Sequence, residues 1–165
     1  MFSPEIIDLA TETLQMARDK GLHLATAESC TGGLIMGALT EIAGSSDVVD
    51  RGFVTYTNRA KMEVLNVPGD IIKQHGAVSE ECARAMATGA LKASSASLAV
   101  SVTGIAGPGG GSAGKPVGLV HMACAARDGT IIHEKHLFGE VGRDNVREKT
   151  VVAALKLFQS AITEF

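Results

Sequence analysis

The 165-residue chain has few aromatic residues, no dense basic run and no long apolar segment. Aromatic side chains make up 4% of it and tryptophan is absent, so we do not expect stacking surfaces for bases or sugars. Its 15 basic and 18 acidic residues are interleaved and give a net charge of −3, unlike the basic patches that bind nucleic acid or membrane surfaces. No window reaches the roughly 20 apolar residues of a membrane span. We therefore expect a small-molecule partner, with no nucleic acid and no membrane.

Cysteine and histidine are also sparse and badly spaced for metal binding. The cysteines Cys30, Cys82 and Cys124 are far apart and odd in number, which argues against a disulfide framework and a CxxC metal site. His133 and His136 lie three apart in a predicted strand, so they point to opposite faces. The N-terminus lacks the basic region and apolar stretch of a signal peptide. We expect a cytoplasmic protein without a metal site.

The hydrophobic fraction of 45% and the length predict one domain, residues 1–165, with a buried core. Helices are predicted from Ser3-Pro4 to about Lys20, from Leu34 to Leu39, from an Asn58 cap to Leu65, from Asp70 to before Gly76, from Ser79 towards Ala93, and from about Gly142 to Thr163. Strands are predicted over 22–27, 52–56 and 98–103, and a hairpin over 117–125 and 130–138. Helices that separate strands, with one hairpin, predict a three-layer α/β/α sandwich with a mixed central sheet.

Two glycine-rich loops follow predicted strands, TAESCTGG (26–33) and TGIAGPGGG (103–111). Ligands of open α/β sheets bind at the carboxyl ends of strands, and a hydroxyl followed by glycines exposes backbone N–H groups to an anion. The first loop lacks GxGxxG and the second lacks GxxxxGK[ST], so neither is a nucleotide fingerprint. The candidate binding residues are Cys30, Thr31, Gly32 and Gly33 in the first loop and Thr103, Gly104, Gly107, Gly109 and Gly110 in the second.

Ser29 and Lys61 are a candidate nucleophile and base, because the lysine lies on the helix after the next strand. A lysine with an ordinary pKa of about 10.4 is a poor base at neutral pH, so Lys61 must be desolvated to serve. Most lysines are solvated surface charges, and that alternative stays open. Cys30 is a weaker candidate, since no histidine is placed by the sequence to activate it and buried cysteines are common.

Five other residues have both a functional and an ordinary interpretation. Glu28 would orient a substrate or tune the lysine, or else cap a helix start. Ser46 would be a nucleophile or phosphate ligand, or only a turn residue. Tyr56 would donate to a substrate, or be a half-buried strand tyrosine. Arg143 and Arg147, four apart, would clamp a phosphate, or form a solvated helix face.

Four stretches in fixed order resemble the CinA C-terminal domain family: TAESCTGG, AGSSDVVDRGFVTYTNRAK, HGAVSEE, and SVTGIAGPGGG with KPVGLV. The resemblance runs from about Leu9 to the last helix. Stand-alone bacterial members of this family are nicotinamide-nucleotide amidases, which convert nicotinamide mononucleotide (NMN) to nicotinate mononucleotide and ammonia in pyridine-nucleotide salvage. The resemblance therefore implies a serine amidohydrolase with a serine-lysine dyad.

Carried onto this chain, the resemblance makes Ser29 the nucleophile and Lys61 the base, with Tyr56 and Glu28 in supporting roles and Ser46 as the alternative nucleophile. N–H groups of the 30–33 turn would stabilise the oxyanion. The glycine loop, with Arg143 or Arg147, would hold the phosphate. No metal or organic cofactor is implied, and a homo-oligomer is expected, as for many small α/β enzymes. The alternative is a non-catalytic nucleotide-binding or regulatory module.

Overall fold

A mixed five-stranded sheet forms the centre of the protein. The computed structural model describes residues 1–164, and its strands are β1 (Leu24–Glu28), β2 (Val49–Val54), β3 (Leu98–Gly104), β4 (Leu119–Ala126) and β5 (Ile131–Leu137). Their order in the sheet is β2-β1-β3-β4-β5. Strand β1 pairs in parallel with β2 and β3, whereas β4 is antiparallel to β3 and β5. The carboxyl ends of β1, β2 and β3 therefore meet at one edge of the sheet.

Helices cover both faces of this sheet. They are α1 (Pro4–Asp19), α2 (Leu34–Thr40), α3 (Asn58–Leu65), α4 (Gly69–His75), α5 (Glu80–Lys92) and α6 (Arg143–Glu164). One face packs against α1, α2 and α6, and the other packs against α5 with α3 and α4 beside it. The predicted three-layer α/β/α sandwich with a mixed sheet is confirmed. None of the helices within residues 1–164 is long and apolar enough to cross a bilayer.

The two faces of the sheet differ in side-chain size. The face against α1 and α6 carries large residues such as Leu98, Val100 and Met122. The face against α5 is built largely from small ones, namely Ala25, Ala27, Ala99, Ala123 and Ala125. Small residues let α5 approach the sheet closely. Helix α3 in turn packs so tightly on α5 that a Cβ added to Gly89 would lie 2.0 Å from the Leu65 carbonyl oxygen.

Most predicted elements agree with the structure to within two residues, and the largest difference is in β2. It was expected over 52–56 and spans Val49–Val54. As an edge strand it carries the polar pair Asp50 and Arg51, so its sequence pattern is weak and its start is set by pairing with β1. The prediction of Asn58 as a helix cap is also wrong. Thr57 caps α3 by accepting a hydrogen bond from the Ala60 N–H, and Asn58 is the first helical residue.

Candidate active site

Ser29 begins the turn that links β1 to α2, at the edge where the parallel strands end. Its N–H donates to the Val102 carbonyl of neighbouring β3 (3.1 Å), and its own carbonyl accepts from the Gly32 N–H (3.1 Å). Gly32 and Gly33 have φ values of 61° and 101°, a left-handed conformation that glycine adopts without strain. The glycine pair thus lets the chain turn sharply from the strand into the helix, and Ser29 is left only 7% exposed.

Lys61 reaches this turn from α3 and is 1% exposed. Its Nζ lies 2.9 Å from the Ser29 Oγ, 2.9 Å from the Thr55 carbonyl oxygen and 3.2 Å from the Tyr56 carbonyl oxygen. These three partners within the described chain are one hydroxyl and two carbonyls, and none of them is charged. The structure therefore brings together the serine and the lysine that the sequence singled out.

Burial lowers the pKa of Lys61 below its ordinary value, because the ammonium form loses its hydration. The three partners also suit the neutral amine. As an ammonium, Nζ donates to all three partners. As a neutral amine it has two N–H donors for the two carbonyls and one lone pair that can accept from the Ser29 hydroxyl. This arrangement can take a proton from Ser29 and return it.

Cys30, the other nucleophile candidate, is poorly suited to attack. Burial raises the pKa of its thiol to about 11, so the thiolate is scarce at neutral pH. The same cause raises the pKa of Cys82 to about 11 and that of Cys124 to about 12. Among these buried groups, the hydroxyl of Ser29 is the one that has a base within hydrogen-bonding distance.

Glu28 caps the start of α2 and makes its contacts away from the serine-lysine pair. Its carboxylate is 1% exposed and accepts four hydrogen bonds. They come from the Thr31 hydroxyl (2.7 Å), the Thr26 hydroxyl (3.1 Å), the Ile35 N–H (2.9 Å) and the Met36 N–H (3.0 Å). Of the two interpretations left open by the sequence, the structure matches the helix cap.

The two arginines of α6 do not form a joint clamp. Arg143 donates to the Gly107 carbonyl (2.9 Å) and to the Tyr56 hydroxyl (2.8 Å), and so spans the mouth of a cavity beside Ser29. Tyr56 is 57% exposed there. Arg147 instead donates to the carbonyls of Cys30 and Thr31, both at 3.1 Å, from outside the cavity. Only Arg143 is therefore placed to meet a bound substrate.

The cavity beside Ser29 and Lys61 has a volume of about 270 Å³. The second glycine loop forms one wall, contributing five predicted binding residues: Thr103, Gly104, Gly107, Gly109 and Gly110. Lys61 and Arg143 are its basic lining residues, and its described lining contains neither aspartate nor glutamate. Larger grooves of about 520 and 680 Å³ lie elsewhere on the protein, without a paired nucleophile and base.

Several N–H groups in and near this cavity are available to a ligand. Those of Cys30, Gly107, Gly109 and Gly110 donate to no other group within residues 1–164. The Thr103 hydroxyl, by contrast, donates a hydrogen bond to the Ala77 carbonyl at 2.8 Å. Backbone donors together with the Arg143 guanidinium favour an anionic ligand.

Some predicted binding residues lie apart from the cavity. Thr31, Gly32 and Gly33 belong to the turn but not to the cavity wall, since the Thr31 hydroxyl binds Glu28 and the glycines serve the bend. Ser46 is exposed in the 3-10 turn Ser45–Asp47, which precedes β2 and so lies at the opposite end of the parallel strands. The structure thus separates Ser46 from Lys61.

Asn58 lines the cavity, although the sequence pattern suggested only a capping role for it. The usable signal was its spacing, because residues three apart on a helix share a face and Lys61 follows three positions later. Within residues 1–164, no three or more histidine, cysteine or acidic side chains are grouped so that they could hold a metal ion.

The model of the CinA C-terminal domain matches residues 6–162. The chain belongs to the CinA C-terminal domain family. It is 47% identical to the nicotinamide-nucleotide amidohydrolase PncC of Enterobacter agglomerans, over 100% of this chain and 98% of that protein. It is also 48% identical to a CinA-like protein of Syntrophobacter fumaroxidans, over 89% of this chain but only 34% of the relative. The chain thus spans about a third of the length of some curated relatives.

Solved structures of the CinA family share this fold. The competence/damage inducible protein CihA of Agrobacterium tumefaciens superposes with a TM-score of 0.96 at 54% identity, covering 99% of this chain and 98% of that one. A CinA superfamily protein of Klebsiella pneumoniae superposes with a TM-score of 0.92 at 34% identity, covering 97% and 99%. The architecture is therefore that of the CinA domain throughout.

Proposed function

We propose that this CinA-family domain is an amidase that hydrolyses the carboxamide of NMN to nicotinate mononucleotide and ammonia. The observation that carries the proposal is the buried Ser29–Lys61 pair, with Nζ 2.9 Å from Oγ at the wall of a cavity that Arg143 also lines. The name of the full-length relative, a nicotinamide-nucleotide amidohydrolase, supplies the substrate class. The reaction would belong to pyridine-nucleotide salvage.

In the first half of the proposed reaction, the Ser29 Oγ attacks the carboxamide carbon while Lys61 takes the hydroxyl proton. The oxyanion that forms is stabilised by the free Cys30 N–H, which belongs to the residue directly after the nucleophile. Collapse of the intermediate breaks the C–N bond, and Lys61 gives its proton to the departing nitrogen as ammonia. An ester between Ser29 and the nicotinate carbonyl remains.

In the second half, Lys61 deprotonates a water molecule that attacks this ester. The C–O bond to Ser29 then breaks, and Lys61 returns the proton to the Ser29 Oγ. Lys61 thus acts first as base and then as acid in each half-reaction, as a group with a lowered pKa can at neutral pH. In this proposal Ser29 is the nucleophile and Lys61 carries out each proton transfer.

The phosphorylated nucleotide portion would occupy the remainder of the cavity. The free N–H groups of Gly107, Gly109 and Gly110 and the Arg143 guanidinium are suitable phosphate donors. Tyr56 lies beside them through its hydrogen bond with Arg143 (2.8 Å) and closes one side of the mouth. A homo-oligomer remains a prediction.

The test is ammonia release from NMN by the purified protein and by three alanine variants. Ser29→Ala and Lys61→Ala should abolish turnover, and Ser46→Ala, at the other end of the sheet, should retain it. Tight binding of NMN by the wild type without ammonia release would instead select the non-catalytic nucleotide-binding module. Loss of activity in Ser46→Ala, with Ser29→Ala still active, would show that the nucleophile is wrong.

A further inference from the structure

Arg147 donates two hydrogen bonds to the main chain of the turn that links β1 to α2 and carries Ser29. The sequence had suggested Arg147 as a ligand of the substrate phosphate. Its Nε binds the Cys30 carbonyl and its Nη2 binds the Thr31 carbonyl, both at 3.1 Å. It lies 116 or more residues away in sequence from these partners. A guanidinium matches two neighbouring acceptors better than an ammonium does, because its N–H groups have a fixed fork geometry.

The Thr31 carbonyl begins a chain of linked peptide groups that ends beside the nucleophile. It shares a peptide unit with the Gly32 N–H, which donates to the Ser29 carbonyl at 3.1 Å. That carbonyl in turn shares a peptide unit with the Cys30 N–H. Cys30 lines the cavity, and its N–H donates to no other group within residues 1–164.

In this series of hydrogen-bonded peptide groups, each hydrogen bond makes the next N–H a stronger donor. A cation bound to a carbonyl polarises its peptide unit, and cooperative strengthening is estimated at roughly 10–30% per hydrogen bond. The Arg147 charge therefore acts on the Cys30 N–H through two peptide units while it also fixes the turn in place. It does so without touching the cavity in which a substrate would lie.

We propose that Arg147 is a positioning residue of the proposed amidase, holding and polarising the turn that carries Ser29 so that the Cys30 N–H stabilises the oxyanion. This inference rests on the proposed function. It differs from substrate binding in what it predicts. A residue that acts only on the transition state changes kcat, whereas a ligand of the phosphate changes KM.

The position of the Arg147 guanidinium is also accessible to a small molecule from the protein surface. It lines a separate surface cavity of about 230 Å³ with Phe2, Leu34 and Asp144, away from Ser29 and Lys61. Removing the side chain in Arg147→Ala enlarges this opening. Free guanidinium can therefore take the place of the lost group without entering the catalytic cavity.

The experiment compares Arg147→Ala, Arg147→Lys and the exposed control Lys149→Ala. For NMN hydrolysis we expect kcat of Arg147→Ala to fall at least about tenfold, less than the 10²–10³ lost when an oxyanion donor is deleted outright, with KM within about twofold. Guanidinium below denaturing concentrations should restore part of this rate in Arg147→Ala, but not in Ser29→Ala or Lys149→Ala. Arg147→Lys should be intermediate, since an ammonium meets only one carbonyl well.

Ser29 labelling by a fluorophosphonate gives a second readout that does not need NMN. If the wild type is labelled but releases no ammonia, the proposed substrate fails while the labelling rates still test Arg147. A raised KM at unchanged kcat would make Arg147 a substrate ligand and overturn the inference. It is also overturned if Arg147→Ala labels and turns over at the wild-type rate, or if guanidinium and lysine both fail to restore a lost rate in a folded protein.

Discussion

Replacing Lys61 with methionine is expected to remove turnover without unfolding the protein. Methionine retains a long unbranched side chain but has no base and no charge. Removal of a general base typically lowers a rate by about 10²–10⁴, and loss of the base from a serine hydrolase dyad belongs at the upper end. The assay is the initial rate of ammonia release from NMN, with Arg59→Met on the exposed side of the same helix as control.

The effect on stability follows from two opposing contributions. The substitution removes three hydrogen bonds, to the Ser29 hydroxyl and to the carbonyls of Thr55 and Tyr56, each worth about 1 kcal/mol net and so about 3 kcal/mol together. It also removes the cost of keeping a basic group where it is 1% exposed, either as a buried ammonium or by deprotonating it, which in proteins is several kcal/mol. The free energy of unfolding should therefore stay within about 2 kcal/mol of wild type, or rise.

The difference in stability between Lys61→Met and the wild type should depend on pH. Because the folded-state pKa of Lys61 lies below its unfolded value of about 10.4, the unfolded chain binds more protons between these two values. The wild-type contribution from Lys61 therefore becomes more favourable as pH rises through that window, and Lys61→Met loses this dependence. The variant should gain more relative to wild type at neutral pH than at alkaline pH. Chemical denaturation at several pH values measures it.

A large loss of stability in Lys61→Met, above about 3 kcal/mol at neutral pH, would contradict this account, because it would mean that the hydrogen bonds outweigh the buried charge. Turnover close to the wild-type rate would contradict the role of Lys61 as base. The two outcomes are independent, so each part of the argument can fail alone.

Two further predictions concern parts of the fold away from the cavity. Burial lowers the pKa of His121 and of His133, and for His121 the positive charge of His133 lowers it further. The two rings lie 3.0 Å apart, measured from Nδ1 of His121 to Nε2 of His133. The free energy of unfolding should therefore fall as pH drops below about 6.5. His121→Asn should reduce that slope in thermal unfolding between neutral and mildly acid pH; an unchanged slope would contradict it. Gly89→Ala should lower the free energy of unfolding by about 1–3 kcal/mol, because its Cβ would overlap the Leu65 carbonyl. A wild-type melting temperature would refute that close contact.

The sequence predicted the interior of this fold better than its edge. Strand β3 is a run of buried branched and small residues, and α5 is capped by Ser79, whose side chain accepts from the Cys82 N–H as the capping pattern predicts. Both signals are local. The limits of β2 depend on pairing with β1. Thr55 and Tyr56, predicted as its last residues, lie beyond its end, where their carbonyls accept from the Lys61 Nζ.

The candidate site was predictable in its serine and its lysine but not in the contacts that hold them. Ser29 and Lys61 are 32 residues apart, and nothing local in the sequence measures the distance between them. For Arg147 the sequence suggested a role in phosphate binding, and the structure shows a different set of partners. Two arginines four apart at the start of a predicted helix suggest anion ligands, and a sequence does not reveal that the partners of Arg147 are main-chain carbonyls of a distant turn.

Main-chain carbonyls, rather than carboxylates, accept hydrogen bonds from the two basic side chains of this cavity. Lys61 and Arg143 each donate to carbonyl oxygens, and the nearby carboxylate of Glu28 is occupied by the start of α2. A carboxylate beside Lys61 would stabilise its ammonium form and raise its pKa, whereas carbonyl dipoles allow burial to lower it. The positive charge of Arg143 likewise stays uncompensated by an acidic lining residue. The same choice of partners thus favours a neutral base for Ser29 and an anionic substrate beside it.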